Sequence, residues 1–229
     1  MFNQFNQPIG KPVANQTAGK LPTINELQGK TCRLERLDAA RHFDDLWTVY
    51  GVNTPLKNWT YLSPSYGRFE NKADFNRTLK TWAASQDPYF FAIIDIAGGK
   101  AVGSFSLMRI DAPNRVIEMG AVIYSDQLKR TKIATEAQFL VMQYVFETLQ
   151  YRRYEWKCDS LNAPSRRAAE RLGFTFEGIF RQAQIYHGRN RDTAWYSLLD
   201  CEWAAQKAKF EHWLADENFD EDGKQKKRL

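Results

Sequence analysis

The sequence predicts an α/β domain: a mixed central sheet with an antiparallel meander in its first half, a parallel pair in the middle, flanking helices and a C-terminal hairpin. Three observations carry that prediction. Strand-like runs alternate with helical stripes instead of segregating from them. Three successive runs, YFFAIIDI (89–96), AVGSFSLMRI (101–110) and RVIEMGAVIY (115–124), are joined by the short turns Gly98–Gly99 and Pro113–Asn114, which makes a meander. The next run, YEWKCDS (154–160), comes after a helical stripe, and a helical crossover makes neighbouring strands parallel.

Taken in order, residues 1–29 are rich in Asn, Gln, Gly and Pro without periodicity and read as an extended arm. The domain proper is placed at 30–215. TCRLERL (31–37) alternates as a strand, and a helix over 38–51 is opened by Asp38 and closed by Gly51. A turn-rich aromatic loop spans 52–69. A second helix at 71–85 carries Phe75, Leu79 and Trp82 on one face. After the meander, Ile133, Ala137, Leu140, Val141, Tyr144, Val145 and Leu149 mark one helical stripe. The stretch 162–174 is a short helix with Asn162 as N-cap, Pro164 in its first turn and Gly173 at its end. Residues 174–186 and 192–200 flank the turn HGRN as a hairpin, and a closing helix starts near Glu202. The tail 216–229 is an acidic block followed by a basic one and is expected to be solvated and disordered.

Composition narrows the function classes. Three widely spaced cysteines and three scattered histidines support neither a disulfide framework nor a metal site. The longest apolar stretch is too short to span a bilayer and the start has no signal-peptide core, so no membrane role and a reduced, cytoplasmic setting are expected. A net charge of +5 suits an anionic ligand but is too small to argue for nucleic acid.

Two motifs carry chemistry. SDQLKRTKIATEAQFL (125–140) places Arg130, Thr131 and Lys132 where a strand end meets a helix start. The first amides of a helix are unpaired and its dipole is positive there, so an anion fits. DSLNAPSRRAAERLGFTFEGIFR (159–181) is the more specific one. The element order and both motifs resemble the GCN5-related N-acetyltransferase (GNAT) superfamily, and more closely its RimJ/RimL-like branch of ribosomal-protein N-terminal acetyltransferases. The superfamily turn reads Q/R-x-x-G-x-G/A; Arg130 fits its first position, while Ile133 and Thr135 replace the glycines. In the second motif Asn162, Ser165, Gly173, Phe174, Glu177 and Gly178 fall in register, but Ala169 stands where a Tyr is usual.

The resemblance implies acetyl-coenzyme A as co-substrate, no metal, and direct transfer to a primary amine. It places the pyrophosphate on Arg130, Thr131, Lys132, Ile133, Ala134 and Thr135. It puts the pantetheine arm in a splay beside the backbone of Val122, Ile123 and Tyr124, held also by Asn162. With the usual Tyr absent, Ser165 is the candidate donor of the thiolate's proton and Glu118 the candidate base, acting through water. Trp59, Tyr61, Tyr66, Tyr186, His187 and Arg189 are expected to line the acceptor pocket. The expected acceptor is a protein N-terminal α-amine. A small amine (polyamine, amino acid or aminoglycoside) is the alternative within the class, and a non-catalytic acyl-coenzyme A-binding protein the alternative outside it. An edge strand or the polar arm offers a surface for a homodimer.

Overall fold

A computed structural model describes all of residues 1–229. The chain opens with β1 (Glu26–Gln28) and β2 (Cys32–Arg36), then α1 (Ala39–Tyr50) and α2 (Lys72–Ala84). The meander is β3 (Tyr89–Asp95), β4 (Lys100–Asp111) and β5 (Val116–Tyr124). After it come α3 (Lys132–Gln143), β6 (Arg153–Asp159), α4 (Ala163–Arg171), the hairpin strands β7 (Thr175–Tyr186) and β8 (Arg189–Leu199), and α5 (Asp200–Leu214). The eight strands form one sheet in the order β1-β2-β3-β4-β5-β6-β8-β7. Every neighbouring pair is antiparallel except β5–β6, because α3 carries the chain back to the same end of the sheet before β6 begins.

Helix ends follow their local chemistry. The Asp38 carboxylate accepts from the amides of Ala40 and Arg41 at 2.9 and 2.8 Å, and Asn71 accepts from Asp74 at 2.9 Å. Gly173, at φ +94°, takes the chain out of α4 in a conformation that side chains resist.

The two faces of the sheet are covered unequally. One carries α3, α4 and α5 over a core of 30 buried residues, including Phe105, Met119, Tyr154, Trp156, Tyr196 and Phe210. The other carries α1 and α2, whose Tyr50, Phe75, Leu79 and Trp82 pack on Phe90 and Ala92 of β3. These two helices cover β3, β4 and the far end of β5 around Ile123. Beyond that cover the same face of β5, β6 and β8 presents Glu118, Glu155, Lys157, Asp159, Thr193, Trp195 and Ser197, as strand alternation dictates.

Two expectations need correction. The arm ends before residue 29, because Glu26–Gln28 pair with β2 as an edge strand. Upstream, residues 1–9 close a turn with Phe2 bridged to Pro8, and the arm is pinned by Gly19 N–H to the Ala112 carbonyl (2.8 Å) and Thr23 N–H to the Tyr144 hydroxyl (3.2 Å). Residues 216–229 are mostly exposed, as expected, but they are tied to α5 instead of disordered. Asn218 is buried and donates to the Trp213 carbonyl at 2.9 Å, the Trp213 indole donates to Gln225 at 2.9 Å, and Phe219 packs edge-on against Trp213. One aromatic pair among the charges is enough to fold the segment back on α5.

Candidate active site

The parallel pairing of β5 and β6 covers only Val116–Met119 against Arg153–Trp156, after which the strands part. The β6-facing edge of Gly120–Tyr124 therefore has no ladder partner. A bulge sharpens the parting: Ser106 faces Gly120 while Ser104 faces Ile123, so β5 holds one extra residue, and Ala121 sits at φ +48°. Val122, Ile123 and Tyr124 line a cavity of about 70 Å³ with Val49, Asn58, Trp59 and Lys129. Helices α3 and α4 both start at this end, one after each strand of the pair, which is where a parallel pair offers a ligand site.

At the start of α3, Thr131 is the N-cap: its hydroxyl accepts from Ala134 N–H at 3.1 Å and donates to the Leu128 carbonyl at 2.7 Å. The amides of Lys132 and Ile133 find no acceptor in the chain. Arg130 is exposed, has no acidic partner, and sits at φ +65°. The left-handed residue of this turn is thus the arginine, a conformation that costs roughly 1–2 kcal/mol for a non-glycine residue. Ile133 and Thr135, which replace the motif's glycines, lie in regular helix. Lys132 is not a free charge. Its ammonium pairs with Asp216 at 2.8 Å and lies 4.3 Å from the centre of the Phe219 ring. The Thr135 hydroxyl is buried and accepts from Arg171 at 3.1 Å.

Glu118 lies on β5 just before the splay and is 7 % exposed. Its Oε2 receives Lys157 Nζ at 2.7 Å and pairs with Arg109 Nε at 3.3 Å. The same ammonium reaches Glu155 Oε2 at 2.7 Å and rests 3.7 Å over the Trp195 ring. Glu155 spends its other oxygen on Arg153, also at 2.7 Å. Glu118 Oε1 accepts no hydrogen bond and keeps contact with solvent. Burial pushes the Glu118 carboxyl up, against the pull of Lys157 and Arg109. Tyr66 faces this cluster, and its phenol is pushed up by burial first and then by Glu118 and Asp87.

At the start of α4, Asn162 accepts from Ser165 N–H at 3.2 Å, which leaves its amide nitrogen free to donate. The Ser165 hydroxyl accepts from the Trp156 indole at 3.0 Å and keeps its proton to donate, with the neighbouring Cys158 sulfur as one acceptor within reach. Ala169 is fully buried in the core, so no phenol enters from that position. The Glu-Gly pair of the motif is structural: Glu177 binds Arg153 through both oxygens, at 2.8 and 2.5 Å, and accepts from Ser197 at 2.7 Å.

Loop 52–69 and the hairpin tip meet over the open face. His187 Nε2 donates to the Leu62 carbonyl at 2.9 Å and Arg189 donates to the Thr60 carbonyl at 3.4 Å. Tyr61 and Tyr66 are half-buried in this roof. Two of the expected pocket residues are largely buried. Trp59 packs against Tyr50 with its indole on Thr54 while lining the cavity beside Val122–Tyr124, and the hydroxyl of the buried Tyr186 donates to Asp159.

Sequence reasoning missed Lys157, Glu155 and Arg109. A signal for two of them was present: in YEWKCDS, Glu155, Lys157 and Asp159 recur at every second position of a strand whose other face is apolar.

Residues 33–175 match the family model described as an acetyltransferase (GNAT) domain. A GCN5-related N-acetyltransferase from Brucella melitensis, known as a crystal structure, is 49% identical and superposes with a TM-score of 0.90 over 94% of this chain and 97% of that one. A GNAT-family crystal structure from Chromobacterium violaceum ATCC 12472 is 36% identical, with a TM-score of 0.79 over 86% of this chain and 98% of that one. YdaF of Bacillus subtilis (strain 168), provisionally named a ribosomal N-acetyltransferase, is 34% identical over 109 residues, which are 48% of this chain and 59% of YdaF. The matched stretch is thus less than two thirds of that relative's length. On the family model and these similarities, and with the splayed parallel pair, the helix start with unpaired amides and the α4 motif all present, the chain belongs to the GNAT family and is an N-acetyltransferase.

Proposed function

We propose that the chain acetylates the α-amine of a protein N-terminus, with acetyl-coenzyme A as donor. Acetyl-coenzyme A, when bound, supplies an activated thioester. The free amides of Lys132 and Ile133, the α3 dipole and the Arg130 guanidinium suit its pyrophosphate. The unpaired edge of β5 at Val122–Tyr124 suits an extended amide-bearing arm, and one of its amides can receive the negative charge that develops on the carbonyl oxygen. Asn162, with its amide nitrogen free, adds a donor from the other side of the splay.

The observation that carries the reading is the open oxygen of Glu118. A buried carboxylate with one oxygen locked and the other free is placed to take a proton from an ammonium, directly or through one water. An α-amine titrates near ~8, so a modest base suffices. Ser165 can donate a hydrogen bond to the departing sulfur. A thiol titrates near ~8.5, so no strong acid is needed there. The protein-terminus assignment draws on the name of YdaF.

One observation favours a second acceptor class. A groove of about 480 Å³ on the open face is lined by Asp87, Asp111 and Glu155 as well as Arg109 and Lys157. Counting Glu118 and Arg153 behind it, four carboxylates face three cations, a small acidic excess that suits a cationic amine.

Calorimetric titration with acetyl-coenzyme A should give micromolar binding, weakened at least tenfold (about 1.4 kcal/mol) by Arg130→Glu. Thiol release should then occur with a peptide bearing a free N-terminus and stop when that terminus is blocked. Faster turnover of spermidine than of any free-terminus peptide would select the second class.

A further inference from the structure

We propose that Lys157 and Glu155 are positioning residues that set both the aim and the proton affinity of Glu118. The inference rests on the assignment of Glu118 as the base and adds how the chain tunes it. Glu118 and Glu155 are register partners across the parallel β5–β6 pair, so the sheet itself forces two carboxylates side by side. Lys157, two residues further along β6 on the same face, bridges them at 2.7 Å each. All three side chains are nine-tenths buried or more.

Two consequences follow from this geometry. Both cations that reach Glu118, Lys157 from β6 and Arg109 from β4, bind the same oxygen, Oε2. That turns Oε1 away from the cluster and toward the open side of the sheet. The second consequence is a balance of charge. Lys157 favours the ionised carboxyl at Glu118, while Glu155 opposes it and draws the same ammonium toward itself. Trp195 of β8 backs the ammonium with its ring face and so holds it between the two acids. The other groups facing the cluster are the Tyr66 phenol from the aromatic loop, with Asp87 beyond it, and Arg153, which is spent on Glu155 and Glu177. Glu118 is thereby kept from becoming either an inert, fully paired carboxylate or a neutral acid.

The opposed signs make the test sharp. The protein is labelled with 13C-carboxyl glutamate, and the Glu118 resonance is assigned as the one lost in Glu118→Gln. Lys157→Met leaves two facing carboxylates, so the Glu118 midpoint should rise by about one pH unit or more. Glu155→Gln keeps size and shape and gives the ammonium to Glu118 alone, so the midpoint should fall. Lys157→Arg should restore a near-native midpoint. Should Lys157→Met fail to fold, Glu155→Gln alone decides, since only a downward shift agrees with the proposal. An unmoved midpoint, or an upward shift in Glu155→Gln, overturns it. The acid limb of kcat/KM for a free-terminus peptide should move with the midpoints. Full turnover by Glu118→Gln would remove Glu118 from the reaction, which is a failure of the functional reading that the titration results would not share.

Discussion

Strands β6 and β8 show two different surfaces to their two sides. On one side Tyr154, Trp156, Cys158, Ala194, Tyr196 and Leu198 interlock beneath α4 and α5. On the other, one residue out of step, stand Glu155, Lys157, Asp159, Thr193, Trp195 and Ser197. The contrast extends to single carboxylates. Glu136 of α3 is buried on the helix-covered side and accepts four hydrogen bonds, from the amides of Lys30, Thr31 and Cys32 and from the Thr31 hydroxyl, at 2.5–3.0 Å. Glu118 is as well buried, yet leaves an oxygen free. A buried acid with every lone pair used is holding the fold together, and one with a lone pair to spare is available for chemistry.

The largest effect expected from this contrast is on the packed side. Leu198→Ala should cost about 2–5 kcal/mol in denaturant unfolding while acetyl-coenzyme A binding, measured where the protein is folded, stays near native. A variant that keeps its stability and loses binding would break the division between the faces. Next comes Glu136. Its hydrogen bonds, with Thr31 foremost, outweigh burial and hold its carboxyl below the ordinary value near 4.5. With the folded value depressed, its contribution is present above about pH 4.5 and lost as pH falls through the lower folded value. Glu136→Gln should therefore cost about 1–3 kcal/mol at pH 7, and the gap to wild type should narrow below pH 4.5, as read by urea unfolding at several pH values. A gap that does not depend on pH would put Glu136 among ordinary packing residues. The smallest effect is at the site's rim, where Arg130→Gly should raise stability by about 1 kcal/mol by relieving the positive φ and weaken acetyl-coenzyme A binding through the lost charge. Thermal unfolding and calorimetry on the same sample separate the two.

Much of the fold was legible because it is governed by local rules. The meander showed itself in two short turns, the helices in their caps Asp38 and Asn162, and the parallel pair in the helix before YEWKCDS. The candidate site could be proposed from sequence where a motif is contiguous, at the α3 turn and the start of α4. It was illegible where partners come from register. Nothing local says that Glu118 will face Glu155, since that pairing depends on how α3 returns the chain. Asp216 as the partner of Lys132 was hidden for a related reason: the charge run of the tail masked Phe219, which folds it back. The positive φ of Arg130 runs against residue preference, and local strain of this kind is expected near functional sites.

The four hydrogen bonds of Glu136 also bear on where this protein can be cut. They tie the helix that begins at the Arg130–Thr131 turn to a segment 104–106 residues earlier in the chain. Contacts so far apart in sequence make the start of α3 depend on the N-terminal strands for its anchorage. The stretch that defines the family, residues 33–175, starts one residue after the last of these amides and stops before β8. A fragment trimmed to that stretch would strand a buried carboxylate without donors and expose the edge of β6. The matched middle of the chain leans on both flanks, and a fragment carrying the site is expected to need them.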